Sequence, residues 1–136
     1  MGNELMPSGE ILLYNNGGEK EFVSVIFKDE NFWLTQKAMG ELFGCSTDNI
    51  SLHLKNIFAE GELSEAATVE ESSVVQTEGS RQVSRKTKFY NLDAIISVGY
   101  QVNSKRATQF RIWATGVPSD FDREVKRLLE NGGDLE

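Results

Sequence analysis

Residues 34–54 read LTQKAMGELFGCSTDNISLHL, and the expected fold depends most on this stretch. Thr35 and Ser46 are residue types whose hydroxyl oxygens accept a hydrogen bond from a first-turn N–H at the start of a helix. Gly44 lies between them and readily adopts the left-handed conformation that ends many helices. The apolar positions follow helical spacing, in one stripe at Ala38, Met39, Leu42 and Phe43 and a second at Ile50, Leu54, Ile57 and Phe58. The pattern predicts two short helices joined by a tight turn, the second of which ends at Gly61.

Three positions in this stretch have the spacing of a helix-turn-helix. Gly40 supplies a small residue where the second helix crosses the first closely, and Gly44 supplies the turn. Ile50 supplies a branched apolar side chain that holds the second helix against the core. The spacing indicates a helix-turn-helix, and an ordinary helical hairpin remains the alternative.

Strand-forming segments lie on both sides of the helix pair. Before it, residues 10–34 contain three short runs of aliphatic, β-branched and aromatic residues, with a turn at Lys28–Asn31 before the third run. After it, residues 68–76 and 82–90 flank a turn at Glu78-Gly79-Ser80. These two runs predict a β-hairpin whose second arm is rich in lysine and arginine.

Helices are expected to follow the hairpin. Asn91 can cap a helix that runs through Val98 and stops at Gly99, and Ser104 can cap the next one. Four aromatic residues near these helices are expected to pack in the core: Phe89, Tyr90, Phe110 and Trp113. Near the end of the chain, an apolar stripe at helical spacing predicts an amphipathic helix: Phe121, Val125, Leu128 and Leu129.

These elements predict an α+β fold, a winged helix-turn-helix-like domain with small antiparallel β-hairpins. The domain is expected to span residues 10–115. It would follow a flexible N-terminus in residues 1–9 and precede a C-terminal amphipathic tail helix in residues 116–136.

The charge is distributed unevenly along the chain. The net charge is −7, but residues 1–80 carry −10, residues 81–111 carry +6 and residues 112–136 carry −3. A concentrated basic segment is typical of contact with polyanions such as nucleic acid, even in an acidic chain. A solvated surface of mixed charge is the alternative.

Residue counts exclude most cofactor and metal chemistry. The chain has one cysteine, Cys45, and one histidine, His53, so neither an intrachain disulfide nor a Cys/His metal cluster is expected. We expect no cofactor, no small-molecule substrate and no enzymatic activity, since a catalytic pairing of Cys45 with His53 has little else to support it. No apolar run is long enough to span a membrane and the N-terminus lacks a secretory signal, so a cytoplasmic protein is expected.

In a helix-turn-helix, outward residues of the second helix enter the DNA major groove. Here these candidates are Thr47, Asn49, Ser51, His53 and Lys55. Asn49 could pair with adenine, and the hydroxyl groups could bond to base edges or phosphates. The hairpin would act as a wing that holds phosphates through Arg81, Arg85, Lys86 and Lys88, and Lys105 and Arg106 would do so from a helix start. A solvated strand face is the alternative for the hairpin.

Several strings resemble the virulence-associated RhuM family over roughly residues 10–115. They are ILLYNN (11–16), NFWLTQKAMGELFGCSTDNISLHLKNIFAEGEL (31–63) and KTKFYNLDAIISVGYQVNSKRATQFRIWAT (86–115). The third string carries the more specific pattern: Gly99-Tyr100, Val102, Ser104, Arg106, Gln109-Phe110-Arg111 and Trp113. A similar pattern occurs in BRO-type N-terminal domains of viruses and phages. Residues 66–85 are hard to match to the family, and the chain departs from it after Thr115.

The resemblance implies a prokaryotic, virulence-associated protein of a mobile element or pathogenicity island that binds double-stranded DNA. The Ser104–Arg111 segment is also expected to hold phosphates, so Gln109 and Arg111 are included among the expected DNA-binding residues. We therefore expect a transcription-regulator-like module that forms a homodimer to present two half-sites, with the tail helix mediating association. The alternative is a protein–protein interaction module on a winged-helix scaffold. The two differ in whether the cations gather on one surface or scatter over several.

Overall fold

The computed structural model describes residues 9–19 and 21–116, apart from the side chains of Val74 and Gln76. Within these ranges the chain is mixed α+β, with a three-stranded and a two-stranded antiparallel sheet and helices packed against them. The α+β class is therefore confirmed. The expected N-terminal segment and the tail helix lie, apart from residues 9 and 116, outside the described residues.

The first sheet is formed by β1 (Glu10–Asn15), β2 (Phe22–Lys28) and β3 (Asn31–Trp33), in the order β1-β2-β3. Asp29 and Glu30 have φ angles of 55° and 57°, so a tight two-residue turn joins β2 to β3 at the predicted place. Alternation along β1 and β2 buries one face of the sheet. The other face presents apolar side chains to the surface: Ile11, Leu13 and Phe22.

Helices α1 (Gln36–Phe43) and α2 (Thr47–Ala59) form as predicted, with the predicted caps. The Oγ1 of Thr35 accepts from the N–H of Ala38 at 3.1 Å, and the Oγ of Ser46 accepts from the N–H of Asn49 at 3.1 Å. Gly44 ends α1 with φ 75°. A Cβ placed on Gly40 would lie 2.7 Å from the Cys45 carbonyl oxygen, so the turn depends on glycine there.

A short helix, α3 (Glu65–Thr68), leads into the hairpin of β4 (Val69–Glu78) and β5 (Arg81–Tyr90). The two strands pair over ten residues each and meet at a two-residue turn, which gives an arm about 30 Å long. Along β5 only Phe89 and Tyr90 are buried, so the hairpin is anchored at its base and projects from the body. Backbone hydrogen bonds between Tyr90 and Leu34 join that base to the residues just before α1.

Helix α4 (Leu92–Val102) is capped by Asn91, whose Oδ1 accepts from the N–H of Ala94 at 3.2 Å. The predicted stop at Gly99 is wrong, because the helix continues through this residue to Val102. A Cβ on Gly99 would lie 2.5 Å from Cζ of Phe43 and 2.7 Å from Cβ of Ala107. Glycine at this position thus allows close packing and does not end the helix.

Residues 104–116 form the described part of a fifth helix, α5. The predicted cap at Ser104 is wrong by one position. Asn103 is the capping residue, because its Oδ1 accepts from the N–H of Arg106 at 3.3 Å and its carbonyl accepts from the N–H of Ala107 at 3.0 Å. Asn103 both closes α4 and opens α5, which sets the angle between them.

The main core lies between the inner face of the first sheet and the helices. Tyr14 contacts Phe110 edge-on, with ring centroids 5.1 Å apart, and Trp113 at 5.0 Å. Phe110 is fully buried and Trp113 packs against the core from a half-buried position, so the predicted core role of these aromatics is confirmed. Phe89 joins a second cluster with Ile26 and Trp33. Among the described residues, no helix has the length and apolar character that membrane crossing requires.

Candidate functional site

The five residues expected to point outward from α2 do not share one face. Successive residues of an α-helix are separated by about 100°, so positions two apart lie on nearly opposite sides. Thr47, Ser51 and Lys55 are spaced four apart and form one stripe, while Asn49 and His53 form another. The expected reading face is therefore divided.

The stripe of Asn49 and His53 faces the body of the protein. His53 Nδ1 lies 2.7 Å from Oε1 of Gln101 on α4, and Asn49 is half-buried. On the other stripe Thr47 and Lys55 are exposed and Ser51 is half-buried. Thr47, Ser51 and Lys55 are thus the predicted α2 residues best placed to meet a ligand.

The exposed side of α2 is not basic throughout. Asp48 is exposed in the first turn, and Leu52 keeps 55% of its surface exposed. Lys55 is therefore the cation that α2 itself supplies, and further positive charge has to come from neighbouring elements.

The basic residues of the hairpin are sorted by the alternation of β5. Lys86 and Lys88 lie on the same face as Tyr90, whereas Arg81 and Arg85 lie on the opposite face with Phe89. All four side chains are exposed. The four cations that were expected to act together therefore form a lysine face and an arginine face.

Carboxylates accompany the arginine face. The Nε and Nη2 of Arg85 donate to the two carboxylate oxygens of Glu78 at 2.6 and 2.8 Å, and these hydrogen bonds lower the pKa of Glu78. Glu70 also lies on this face, where it accepts from Lys28 Nζ at 2.6 Å. Much of the positive charge on this side is thus matched within the protein.

The other face of the hairpin carries two lysines and lies next to a lysine of α1. Lys86 and Lys88 line a shallow depression together with Lys37, and Glu71 is the carboxylate that shares it. Lys88 also has a longer contact with Glu65, at 3.8 Å. A hydrogen bond of 2.9 Å from Gln36 Nε2 to the hydroxyl oxygen of Tyr90 ties the α1 side of the depression to the hairpin.

Lys37 connects this depression to the start of α2. The exposed side chain also lines a second shallow surface formed by α1, the α1–α2 turn and the start of α2, which is shared by Glu41, Cys45, Ser46 and Thr47. We call the combined area the lysine surface, defined by Lys37, Ser46, Thr47, Lys86 and Lys88. It brings hairpin, α1 and α2 together.

Lys37 was not among the expected site residues, since it lies in an acidic part of the sequence. A helix capped at Thr35 with its apolar stripe at Met39, Leu42 and Phe43 places position 37 on the solvent side. The spacing could therefore have identified Lys37 as exposed on α1. Its position near the hairpin lysines depends on the Leu34–Tyr90 pairing and is not encoded locally.

The basic residues of α5 lie elsewhere. Lys105, Gln109 and Arg111 are exposed, and Arg111 Nε donates to the hydroxyl oxygen of Tyr100 at 3.2 Å. This hydrogen bond lowers the pKa of Tyr100. Neither depression of the lysine surface is lined by these three residues.

Arg106 is half-buried, unlike the other six cations of residues 81–111, which are exposed. Its Nη1 donates to the carbonyl oxygen of Leu42 at 3.2 Å. This contact within the protein differs from the phosphate contact that was expected.

The described residues contain no group of three or more histidine, cysteine, aspartate or glutamate side chains placed to hold a metal ion. Cys45 lies in the α1–α2 turn, and His53 is directed to Gln101 of α4. His53 is thus engaged with Gln101 of α4.

Residues 67–125 match the family model described as the virulence protein RhuM family. The match begins within α3 and continues through the hairpin, α4 and the described part of α5, whereas residues 10–66 lie outside it. The expectation that the resemblance would end after Thr115 is wrong, because the match extends ten residues further. The hairpin residues expected to be hard to match lie within it from residue 67 on.

The search of curated proteins and the search of solved structures gave no match. The family model is thus the comparison that relates this sequence to others. Residues 67–125 of the chain are thus similar to the virulence protein RhuM family.

Proposed function

We propose that this protein binds double-stranded DNA through the lysine surface. In this proposal α1 and α2 act as a helix-turn-helix and the β4–β5 hairpin acts as its wing. The observation that carries the proposal is that Lys86 and Lys88 line the same depression as Lys37. Lys37 also lines the neighbouring surface at the start of α2. Cations from two separate segments thereby meet beside the helix that would read the DNA.

The connection between the elements supports a winged arrangement. The hairpin follows the helix pair in the chain, and its base returns to pair with Leu34, just before α1. This pairing places the lysine face of β5 on the α1 side, next to the helix pair. A wing has to lie beside its helix-turn-helix in this way to reach the DNA backbone while the second helix occupies the major groove.

Different residues of the lysine surface would contact phosphates and bases, according to their chemistry. Lys37, Lys86 and Lys88 would contact phosphates, and the N-terminus of α2 at Ser46 offers backbone N–H groups that also favour phosphate. Thr47 would then reach base edges or sugars from the first turn of α2, with Ser51 and Lys55 following along the same stripe. Base recognition would be modest and affinity would come mainly from the lysines.

The overall charge of −7 is compatible with this proposal, because the lysine surface is local and the Debye length is about 8 Å at physiological ionic strength. Neutralising three phosphates would give log K a dependence on log salt with a slope of about −2.7. A slope near zero would contradict a phosphate-binding role for this surface.

Binding of pooled genomic duplex fragments at low and moderate salt tests the proposal. The variant with Lys37→Gln, Lys86→Gln and Lys88→Gln should lose at least tenfold in affinity and most of the salt dependence. The matched control, Arg81→Gln with Arg85→Gln, alters the same hairpin on its other face and should change affinity much less. Absence of duplex binding by the unaltered protein, or an equal loss in both variants, would overturn the proposal.

A transcription-regulator-like role follows if binding is specific. We propose that the protein presents two half-sites as a homodimer, as many helix-turn-helix proteins do. Duplexes recovered by selection would then contain an inverted repeat. Single, non-repeated sites would argue for a monomeric binder.

Protein–protein interaction is the second candidate function. The cations of residues 81–111 are distributed over several surfaces, which favours it, and so does the outer face of the first sheet. Ile11, Leu13 and Phe22 are exposed by 48%, 61% and 51% on this face. The N–H of Asn16 donates to the carbonyl of Glu21 at 2.8 Å, so these residues form a hydrogen-bonded pair at the end of the β1–β2 ladder. Hydrogen-bonded and non-hydrogen-bonded pairs alternate along an antiparallel ladder, so Ile11 and Leu13 belong to pairs that are not hydrogen-bonded to β2. Ile11 and Leu13 therefore direct their backbone groups to the open edge of β1.

A second copy of this chain is the occupant that we propose for this edge. Antiparallel pairing of β1 with its symmetric copy would satisfy the edge backbone groups and cover the apolar side chains, while the charged Glu10 of each copy would lie at opposite ends. Leu13→Arg should lower self-association in sedimentation experiments, whereas Leu52→Arg on α2 should not. Equal effects of the two substitutions would argue against the β1 edge.

A further inference from the structure

We infer that Arg106 is a positioning residue that holds the α1–α2 turn and thereby sets the orientation of α2. This inference rests on the proposed function, since it concerns how the proposed DNA-binding helix is placed. It differs from the phosphate-binding role that the sequence pattern suggested for Arg106.

The first observation is the contact with the end of α1. Nη1 of Arg106 donates to the carbonyl oxygen of Leu42 at 3.2 Å, and a Cβ placed on Gly44 would lie 3.4 Å from the same nitrogen. The last turn of α1 contains no basic residue. The carbonyl of Leu42, at the negative end of the helix dipole, thus receives its cation from α5.

The second observation is that Arg106 is fixed from several sides. Its backbone N–H is held by Asn103 at the start of α5, and its side chain is half-buried. Burial raises the pKa of Tyr14 of β1, and the positive charge of Arg106 partly opposes this rise. A guanidinium that extends from α5 to a carbonyl of α1 in this way has restricted freedom to turn outward to a phosphate.

The third observation is that the turn has little tolerance for movement. The N–H groups of Gly44 and Cys45 both bond to the carbonyl of Gly40, at 2.8 and 2.9 Å. Ser46, the cap of α2, follows directly. A shift at Leu42 or Gly44 would therefore be transmitted to the first turn of α2, where Thr47 is expected to meet the DNA.

Hydrogen exchange in the free protein tests the positioning role without DNA. Arg106→Gln should increase the exchange rates of the Gly44 and Cys45 amides at least fivefold relative to the unaltered protein. Arg111→Gln, an exposed arginine on the same helix, serves as the matched control and should leave them unchanged. If Arg106→Gln does not fold, Arg106→Lys is measured instead, with a smaller increase expected. Unchanged exchange at both amides would overturn the inference.

Binding measurements then separate positioning from phosphate contact. With a duplex obtained by selection and a shuffled duplex as competitor, the Arg106 variant should lose preference for the selected site while its salt slope stays unchanged. Lys86→Gln should instead reduce the magnitude of the salt slope by about 0.9 and weaken binding to both duplexes equally. A reduced slope for the Arg106 variant would identify Arg106 as a phosphate ligand. If the unaltered protein binds neither duplex, the proposed function fails, and the exchange measurement still decides the role of Arg106.

Discussion

Leu34 and Tyr90 exchange two backbone hydrogen bonds, from the N–H of Leu34 to the carbonyl of Tyr90 at 3.0 Å and in the reverse direction at 2.8 Å. Leu34 directly precedes the cap of α1, and Tyr90 is the last residue of β5. The position of the hairpin relative to the helix pair therefore depends on a contact between residues far apart in the sequence. The lysine surface exists because this contact aligns two otherwise separate elements.

The side chain of Tyr90 reinforces the same junction, and its removal gives a first prediction. Tyr90→Phe deletes the hydroxyl oxygen that accepts from Gln36. We expect the free energy of unfolding to fall by about 1 kcal/mol, a typical net value for one hydrogen bond. Urea unfolding measures the change. Tyr100→Phe, at an exposed tyrosine, is the control and should have a smaller effect.

A second prediction concerns the close packing of α4 at Gly99. Gly99→Ala would place its methyl group 2.5 Å from Phe43 and 2.7 Å from Ala107. We expect a loss of about 1–3 kcal/mol in the free energy of unfolding, because the core has to move to accommodate the group. Gly116→Ala is the control, since the added methyl group has no atom within 4 Å among the described residues, its own helix backbone and chain neighbours apart. Equal stability of the two variants would show that Gly99 packs differently.

A third prediction concerns the two stripes of α2. Thr47→Ala should lower the affinity for a selected duplex by about 1 kcal/mol or more, because Thr47 borders the lysine surface. Asn49→Ala should have a weaker effect on binding, because Asn49 is half-buried on the stripe facing α4. Competition titrations with selected and shuffled duplexes measure both. A larger loss in the Asn49 variant would reverse the assignment of the stripes.

A fourth prediction concerns pH and the Arg85–Glu78 pair. Its hydrogen bonds hold the pKa of Glu78 below its ordinary value of 4.5. A lowered folded-state pKa means that the pair stabilises the hairpin above the unfolded pKa, and this contribution is lost as pH falls through the folded value. Titration of the Glu78 side chain by NMR should give a midpoint below 4.5, and Arg85→Gln should raise it. An identical midpoint in both proteins would mean that the ion pair does not form in solution.

Local sequence patterns predicted much of the fold. The caps at Thr35, Ser46 and Asn91 and the turns at Gly44 and Gly79 were all expected, because each depends on a few neighbouring residues. The division of the hairpin into two charged faces also follows from strand alternation alone. Treating the basic residues of the hairpin as one unit overlooks this alternation, which places the neighbouring residues Arg85 and Lys86 on opposite faces.

Long-range packing explains what the sequence patterns missed. Glycine is a residue type that often ends helices, but Gly99 lies inside α4 and allows Phe43 and Ala107 to pack closely, which no local pattern reveals. Arg106 has the position of a phosphate ligand at a helix start, yet it turns to a carbonyl of α1. The role of Lys37 depends on the hairpin returning to Leu34. In each case the deciding partner lies on another element.

The unequal faces of the projecting hairpin have a consequence for how this molecule would approach a polyanion. One side of the ribbon offers lysines, while on the other an arginine is already occupied by a glutamate. An external negative field would therefore exert a torque about the long axis of the ribbon and rotate the molecule before any atoms touch. Orientation would be selected at a distance, by the asymmetry of an arm that is attached at one end only.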